Sequence, residues 1–313
     1  MKLRDLGEQG LIERVRRAAQ RAAAGSAPAV VLGIGDDAAI LRPRSGEEVV
    51  VSTDAFEENV HIRWRTQSAR CAGRRALVAS LSDLAAMGAR PLGFTWALAA
   101  PADLAVKHLD GLTSGLLFEA ARHGCPLVGG NVSRAGETSL TFTVIGAVVR
   151  GRALRRGRAR DGDGLYVTGT LGGAALDVRR AEAGLGRVRH VATPRLEAGR
   201  ALARLRGMGA CLDLSDGLTR DAAHLLEGTQ LRASIDADAI PRPPGFEARC
   251  GRAGLDARAL LLDGGEDYEL LFSLRPGAPS EAVLGRRLGV RVTRIGRVVG
   301  GRPAASTGGF EHF

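Results

Sequence analysis

The chain has 313 residues, 45% of them hydrophobic, enough apolar material for a sizeable core and more than one domain. Its formal net charge of +10 is carried almost wholly by arginine: only Lys2 and Lys107 are lysines among 44 basic residues, and the arginines are scattered. Aromatics make up only 4%, leaving little to stack on bases, so the composition argues against a nucleic-acid partner despite the basic balance. Cys71, Cys125, Cys211 and Cys250 match no zinc spacing and no dense disulfide framework, and read as small buried or semi-buried residues of a reducing compartment. The opening Met1-Lys2-Leu3-Arg4-Asp5 has no apolar leader core, and no run approaches the roughly 20 apolar residues of a membrane span. The expectation is a cytoplasmic protein without membrane contact.

In chain order, apolar spacing predicts a helix over 11–23, with Leu11, Ile12, Val15, Ala18 and Ala19 on one side, ended by Gly25-Ser26-Ala27-Pro28. A short strand at 30–32 enters Gly33-Ile34-Gly35-Asp36-Asp37-Ala38-Ala39. A strand at 47–54 closes on Asp54, and a loop follows through His61. A long helix over 66–88, with Thr66 as cap and Gly88 as stop, precedes a strand at 91–99 and a second amphipathic helix at 102–123. A short buried strand at 126–130 ends in Gly129-Gly130-Asn131, and 138–149 alternates as a strand. The arginine-rich stretch 151–164 marks a boundary, giving domains over 1–150 and 151–313. Beyond it come strands at 165–170, 210–214, 233–237, 268–273 and 290–299, and helices at 173–183, 194–205, 218–227 and 279–288. Alternation of strand and helix in both halves implies layered α/β or α+β domains.

The acids carry the chemistry. Asp36 and Asp37 repel each other, and burying either without compensation is unfavourable, so a cation belongs beside them unless the turn is simply solvated. The same setting recurs. Asp54 ends a strand, and Asp83 is a lone charge in an apolar helix. Asp213 and Asp216 lie in Asp213-Leu214-Ser215-Asp216-Gly217, and Glu266 and Asp267 follow Gly264-Gly265. Aspartates on glycine-rich turns, without a His/Cys cluster, suit Mg²⁺ rather than zinc. Mg²⁺ held by carboxylates usually also carries nucleotide phosphates, which points to phosphoryl transfer. A P-loop is excluded because Lys107 sits in Ala105-Val106-Lys107-His108, and a protein kinase because no His-Arg-Asp loop exists. A Rossmann reading of Gly33-Ile34-Gly35 fails where acids replace the third glycine.

These motifs resemble thiamine-monophosphate kinases. The resemblance rests on Gly33-Ile34-Gly35-Asp36-Asp37-Ala38-Ala39, Ser52-Thr53-Asp54 with His61 downstream, and Ser82-Asp83-Leu84-Ala85-Ala86-Met87-Gly88-Ala89. It is completed by Asp213-Leu214-Ser215-Asp216-Gly217-Leu218 and Gly264-Gly265-Glu266-Asp267-Tyr268-Glu269-Leu270. The motifs occur in family order, and singly most are shared with the wider aminoimidazole-ribonucleotide-synthetase-like superfamily. The resemblance implies two α/β domains, the first forming a homodimer through its sheet, with ATP and Mg²⁺ in the cleft between them. It implies direct in-line phosphorylation of thiamine monophosphate to thiamine diphosphate, without a covalent phosphoenzyme. By position it implies Asp37, Asp54, Asp83, Asp213 and Asp216 as metal ligands, with Ser52 or Thr53 adding an oxygen. It implies Gly130, Asn131, Ser215 and Arg156 at ATP, and His61, Glu266 and Phe310 at the thiamine substrate. Asn131 stands where the family usually has Asp, which removes a negative charge from the metal cluster while keeping a carbonyl oxygen. Phe56-Glu57-Glu58-Asn59 is more acidic than the usual loop. The competing readings are another ATP-dependent ligase or dikinase of the superfamily, a degenerate homologue to which Asn131 lends weight, and a basic nucleic-acid-binding module that leaves the buried acids unexplained.

Overall fold

The structure is a computed structural model and describes residues 1–22 and 28–301. The chain forms two compact units: Met1–Leu84 with Arg90–Arg150, and Ala85–Ala89 with the chain from Gly151 onward.

In the first unit, α1 (Leu3–Ala22) is kinked at Gly7, whose φ of 65° breaks the helical run. A hairpin of β1 (Val30–Leu32) and β2 (Ile40–Leu41) follows. β3 (Glu47–Glu57), β4 (Arg90–Ala100), β5 (Leu127–Arg134) and β6 (Ser139–Val149) make one sheet in the order β3-β6-β4-β5. Only β4 and β5 run parallel, and α3 (Val106–Arg122) supplies the crossover that a parallel pair requires. α2 (Ala69–Ala86) crosses α3 at backbone distance, because a Cβ on Gly73 would lie 2.3 Å from the Leu112 carbonyl oxygen and one on Gly115 2.1 Å from that of Arg70.

Several boundaries differ from the sequence expectation: α1 starts at Leu3 rather than at residue 11, and three other shifts fall at or near the candidate residues. β3 continues to Glu57, so Asp54 lies inside the strand rather than at its end: the ladder with β6 pairs Asp54 with Phe142 and runs on to Ser139. β5 continues to Arg134, so Gly129-Gly130-Asn131 lies within a strand held to Thr95, Trp96 and Ala97. α2 starts at Ala69, and its cap is Ser68, whose Oγ accepts the Cys71 N–H at 3.2 Å; the Thr66 hydroxyl instead donates to the Arg63 carbonyl.

In the second unit, β7 (Gly164–Thr168), β8 (Met208–Asp213), β9 (Leu231–Ile235), β10 (Leu270–Leu274) and β11 (Val292–Gly300) form an antiparallel sheet ordered β8-β10-β7-β11-β9. α4 (Gly173–Glu182), α5 (Leu196–Leu202), α6 (Leu218–Leu225) and α9 (Glu281–Leu288) lie near the predicted helices. α7 (Phe246–Arg252) and α8 (Ala257–Asp263) have no counterpart in the sequence reading. Leu165, Leu176, Leu212, Phe246, Leu271 and Ile295 anchor a core shared by the sheet and these helices. Both units therefore layer helices and sheet, as α+β domains do. Among the described residues, no helix is long and apolar enough to cross a membrane.

Candidate functional site

In the first unit the acids gather on one face of the sheet. Side chains alternate along β3, so Ser52 and Asp54 point to the side where α2 presents Asp83. The Ser52 hydroxyl donates a short hydrogen bond to Asp83 Oδ2. Burial, then the Asp83 carboxylate, push the Asp54 carboxyl up to about 6, against the opposing pull of a Ser80 hydrogen bond. Asp54 Oδ2 is buried without a hydrogen-bond partner. Paired carboxylates with an orphaned oxygen and a neighbouring hydroxyl form a hard-oxygen set that a divalent cation would complete. Thr53 falls on the opposite face, where its hydroxyl meets that of Thr143 at 3.0 Å. Of the two candidate hydroxyls, only Ser52 reaches the acids.

Other candidates of this unit stand apart. Asp37 is exposed in the β1–β2 loop, its backbone N–H bonded to Asp36 Oδ1 at 2.8 Å. Asn131 is exposed on β5 opposite Ala97. Neither has a hydrogen bond or ion pair to Asp54 or Asp83. Gly130 must be glycine, since a Cβ there would lie 2.1 Å from the Trp96 carbonyl oxygen. His61 closes the turn after β3: its Nδ1 accepts the Glu57 N–H at 3.2 Å, and its ring meets Phe56 edge-on at 5.3 Å.

In the second unit two loops are sewn together. Asp213 ends β8, buried, and Leu214, Ser215 and Asp216 follow it into α6. The Gly264–Tyr268 segment lies against this turn. Glu266 N–H donates to the Ser215 carbonyl at 2.8 Å, Tyr268 N–H to that of Leu214 at 2.8 Å, and Leu214 N–H to that of Glu269 at 2.8 Å. The predicted metal-binding turn and the predicted substrate residue Glu266 are thus brought together. Asp221, absent from the sequence candidates, holds the first loop. Its buried carboxylate accepts the N–H groups of Ser215 and Asp216, each at 3.0 Å, and burial drives its carboxyl up to about 7. Asp216, Asp221 and His224 offer ligand atoms lying within 4.8 Å of one another. The available signal was spacing: Asp221 and His224 lie one helical turn apart, just past the Asp216 turn. Arg156 is exposed in a turn. Phe310, with the rest of 302–313, and the predicted stop at 25–27 lie outside the described residues.

Comparison with known proteins gives the following. The AIR synthase related protein family is matched twice, by its N-terminal domain over residues 35–148 and its C-terminal domain over 160–307. A thiamine-monophosphate kinase of Synechococcus elongatus is 36% identical over 299 residues, 88% of this chain and 84% of that protein. The crystal structure of thiamine-monophosphate kinase from Stenotrophomonas maltophilia K279a aligns with a TM-score of 0.80 at 35% identity, covering 95% of this chain and 96% of that one. A structure described as AaThiL complexed with AMPPCP and TMP aligns with a TM-score of 0.75 at 26% identity, covering 100% of this chain and 99% of that one.

Proposed function

The chain belongs to the thiamine-monophosphate kinase family, and from that premise we infer its reaction: the γ-phosphoryl group of ATP passes in line to a phosphate oxygen of thiamine monophosphate. A P–O bond forms to that oxygen as the bond between the γ-phosphorus and the β–γ bridging oxygen breaks, leaving ADP and thiamine diphosphate. The enzyme is a phosphotransferase whose acceptor is itself a phosphate.

The observation that most supports this reading is the Asp54–Asp83 pair, one of whose oxygens is buried without a partner. These donors fit Mg²⁺. Of several such ions, Ser52, Asp54 and Asp83 would hold one in the first unit and Asp213 and Asp216 another in the second, with Asp37 and Asn131 as further oxygen donors and Thr53 restricted to its backbone carbonyl. The bound ion supplies neutralisation of phosphate charge. The chain's own groups bind and orient. The Arg156 guanidinium is suited to a phosphate, and Gly130 and Asn131 would meet the nucleotide through the backbone of β5. Because Asp221 occupies the Ser215 N–H, Ser215 meets ATP through its hydroxyl. Glu266 sets a carboxylate toward the cationic thiazolium, with His61 and Phe310 completing the substrate contacts. The first unit's sheet pairs with that of a second copy. The test is ADP release with ATP, Mg²⁺ and either thiamine monophosphate or thiamine: turnover is expected with the monophosphate alone. Turnover with thiamine instead, or with neither, overturns the reading.

A further inference from the structure

The Gly264–Tyr268 segment is held in a conformation that its residues would not adopt unaided. Gly265, Glu266 and Tyr268 have φ values of 67°, 58° and 50°. Glycine accepts the left-handed region freely, whereas glutamate and tyrosine do so only under constraint from their surroundings. Among the described residues, Asn59 is the only other non-glycine residue there, and asparagine tolerates that region better than most. Strain is therefore concentrated on both sides of Asp267.

Asp267 makes the contacts that pin the segment. Its Oδ2 accepts the Gly172 N–H at 2.8 Å, and its Oδ1 lies 3.5 Å from the Ala174 nitrogen. The two nitrogens flank the first residue of α4: Gly172 precedes the helix and is itself left-handed at φ 83°, and Ala174 lies in its first turn. A Cβ at Gly172 would press within 2.7 Å of the Phe246 ring, so that end of the helix is fixed by the core. On the far side, the backbone bonds of Glu266 and Tyr268 to Ser215 and Leu214 tie the segment to the Asp216 turn. The carboxylate thus links the start of α4 to a loop in which Glu266 holds a conformation that glutamate rarely adopts.

We propose that Asp267 is a positioning residue for substrate binding: by capping α4 it holds Glu266 in its left-handed conformation and so aims the Glu266 carboxylate at the thiamine moiety. The proposal rests on the assignment of Glu266 to the substrate, and its test separates the two. KM for thiamine monophosphate, KM for ATP and kcat are measured for E266Q, D267A and D267N. The expected result is a rise in KM for thiamine monophosphate of about tenfold in both E266Q and D267A, with KM for ATP and kcat within about twofold of the parent. D267N, whose amide oxygen still accepts the Gly172 N–H, recovers most of the loss. If E266Q raises that KM and a folded D267A does not, Asp267 is only a helix cap and the proposal is overturned. If E266Q leaves it unchanged, the assignment of Glu266 fails and the proposal falls with it. Should D267A not fold, D267E is read instead: it keeps the charge but overreaches the helix end, so the same KM rise is expected, and a parental value overturns the proposal.

Discussion

Asp83 sits in a helix of small and apolar residues and accepts a hydrogen bond from the Ser52 hydroxyl on β3, with Asp54 close enough to feel its charge. Changing Asp83 to Asn keeps the volume and an acceptor for Ser52 while removing the repulsion on Asp54. The metal-free D83N protein should melt no lower than the parent, yet need at least about tenfold more Mg²⁺ for half-maximal turnover. An unaltered Mg²⁺ requirement would remove Asp83 from the metal site. Asp267 gives a second prediction, with a definite sign. Burial raises its carboxyl from an ordinary 3.8 to about 7, so the fold favours the protonated form. Its stabilising contribution is full below about pH 4 and is lost as pH rises through 7, by on the order of a few kcal/mol at most. Asn cannot ionise, so the melting temperature of D267N relative to the parent should climb between pH 4 and pH 7.5; a pH-independent difference would refute the shift. At this scale Asp54 and Asp83 were legible because an acid among apolar neighbours demands a partner. Asp221 was not, because it reads as an ordinary charge on an amphipathic helix and serves backbone N–H groups that no side-chain pattern announces.

Elements follow the same division between local signal and tertiary override. The α2–α3 crossing was visible only as two helices; that they meet at backbone distance depends on Gly73, Gly111 and Gly115, which sequence alone presents as weak points. Gly115→Ala should therefore destabilise rather than improve the helix. Its new methyl would meet the Arg70 carbonyl, at a cost of about 1–3 kcal/mol and a melting temperature lower by roughly 2–10 °C. A rise on calorimetry would mean that the helices can separate at little cost. β3 and β5 outran their expected ends for a related reason. Asp54 and Gly129-Gly130-Asn131 carry breaker chemistry, yet the ladders to β6 and β4 carry the chain through them. α7 and α8, at 7 residues each, are too short for helical spacing to emerge from the sequence.

At the scale of the whole molecule, a strand over 47–54 was legible in the sequence, but not that it would set Val49, Val51 and Thr53 on one face against Ser52, Asp54 and Phe56 on the other, nor which face would remain uncovered. The division into units is also more than a single cut. Ala85–Ala89 lies with the second unit, where Gly199 approaches so closely that a Cβ would stand 2.0 Å from the Ala85 carbonyl oxygen, and no change in composition marks that stretch. β3 is an edge strand, and Val49 and Val51 are 53% and 59% exposed on the face away from the acids. An apolar face on an edge strand invites pairing with another chain unless it is covered. A second copy of this sheet would cover it, burying the valines and leaving Asp54 and Asp83 untouched on the other side. Val51→Lys places a charge where that interface would be dry, so light scattering after size exclusion should give a parent mass of twice 32.7 kDa and a variant mass of 32.7 kDa. Because Val51 is already half exposed within its own unit, the far-ultraviolet circular dichroism of the variant should match the parent. A variant that remains dimeric would place the contact elsewhere on the chain.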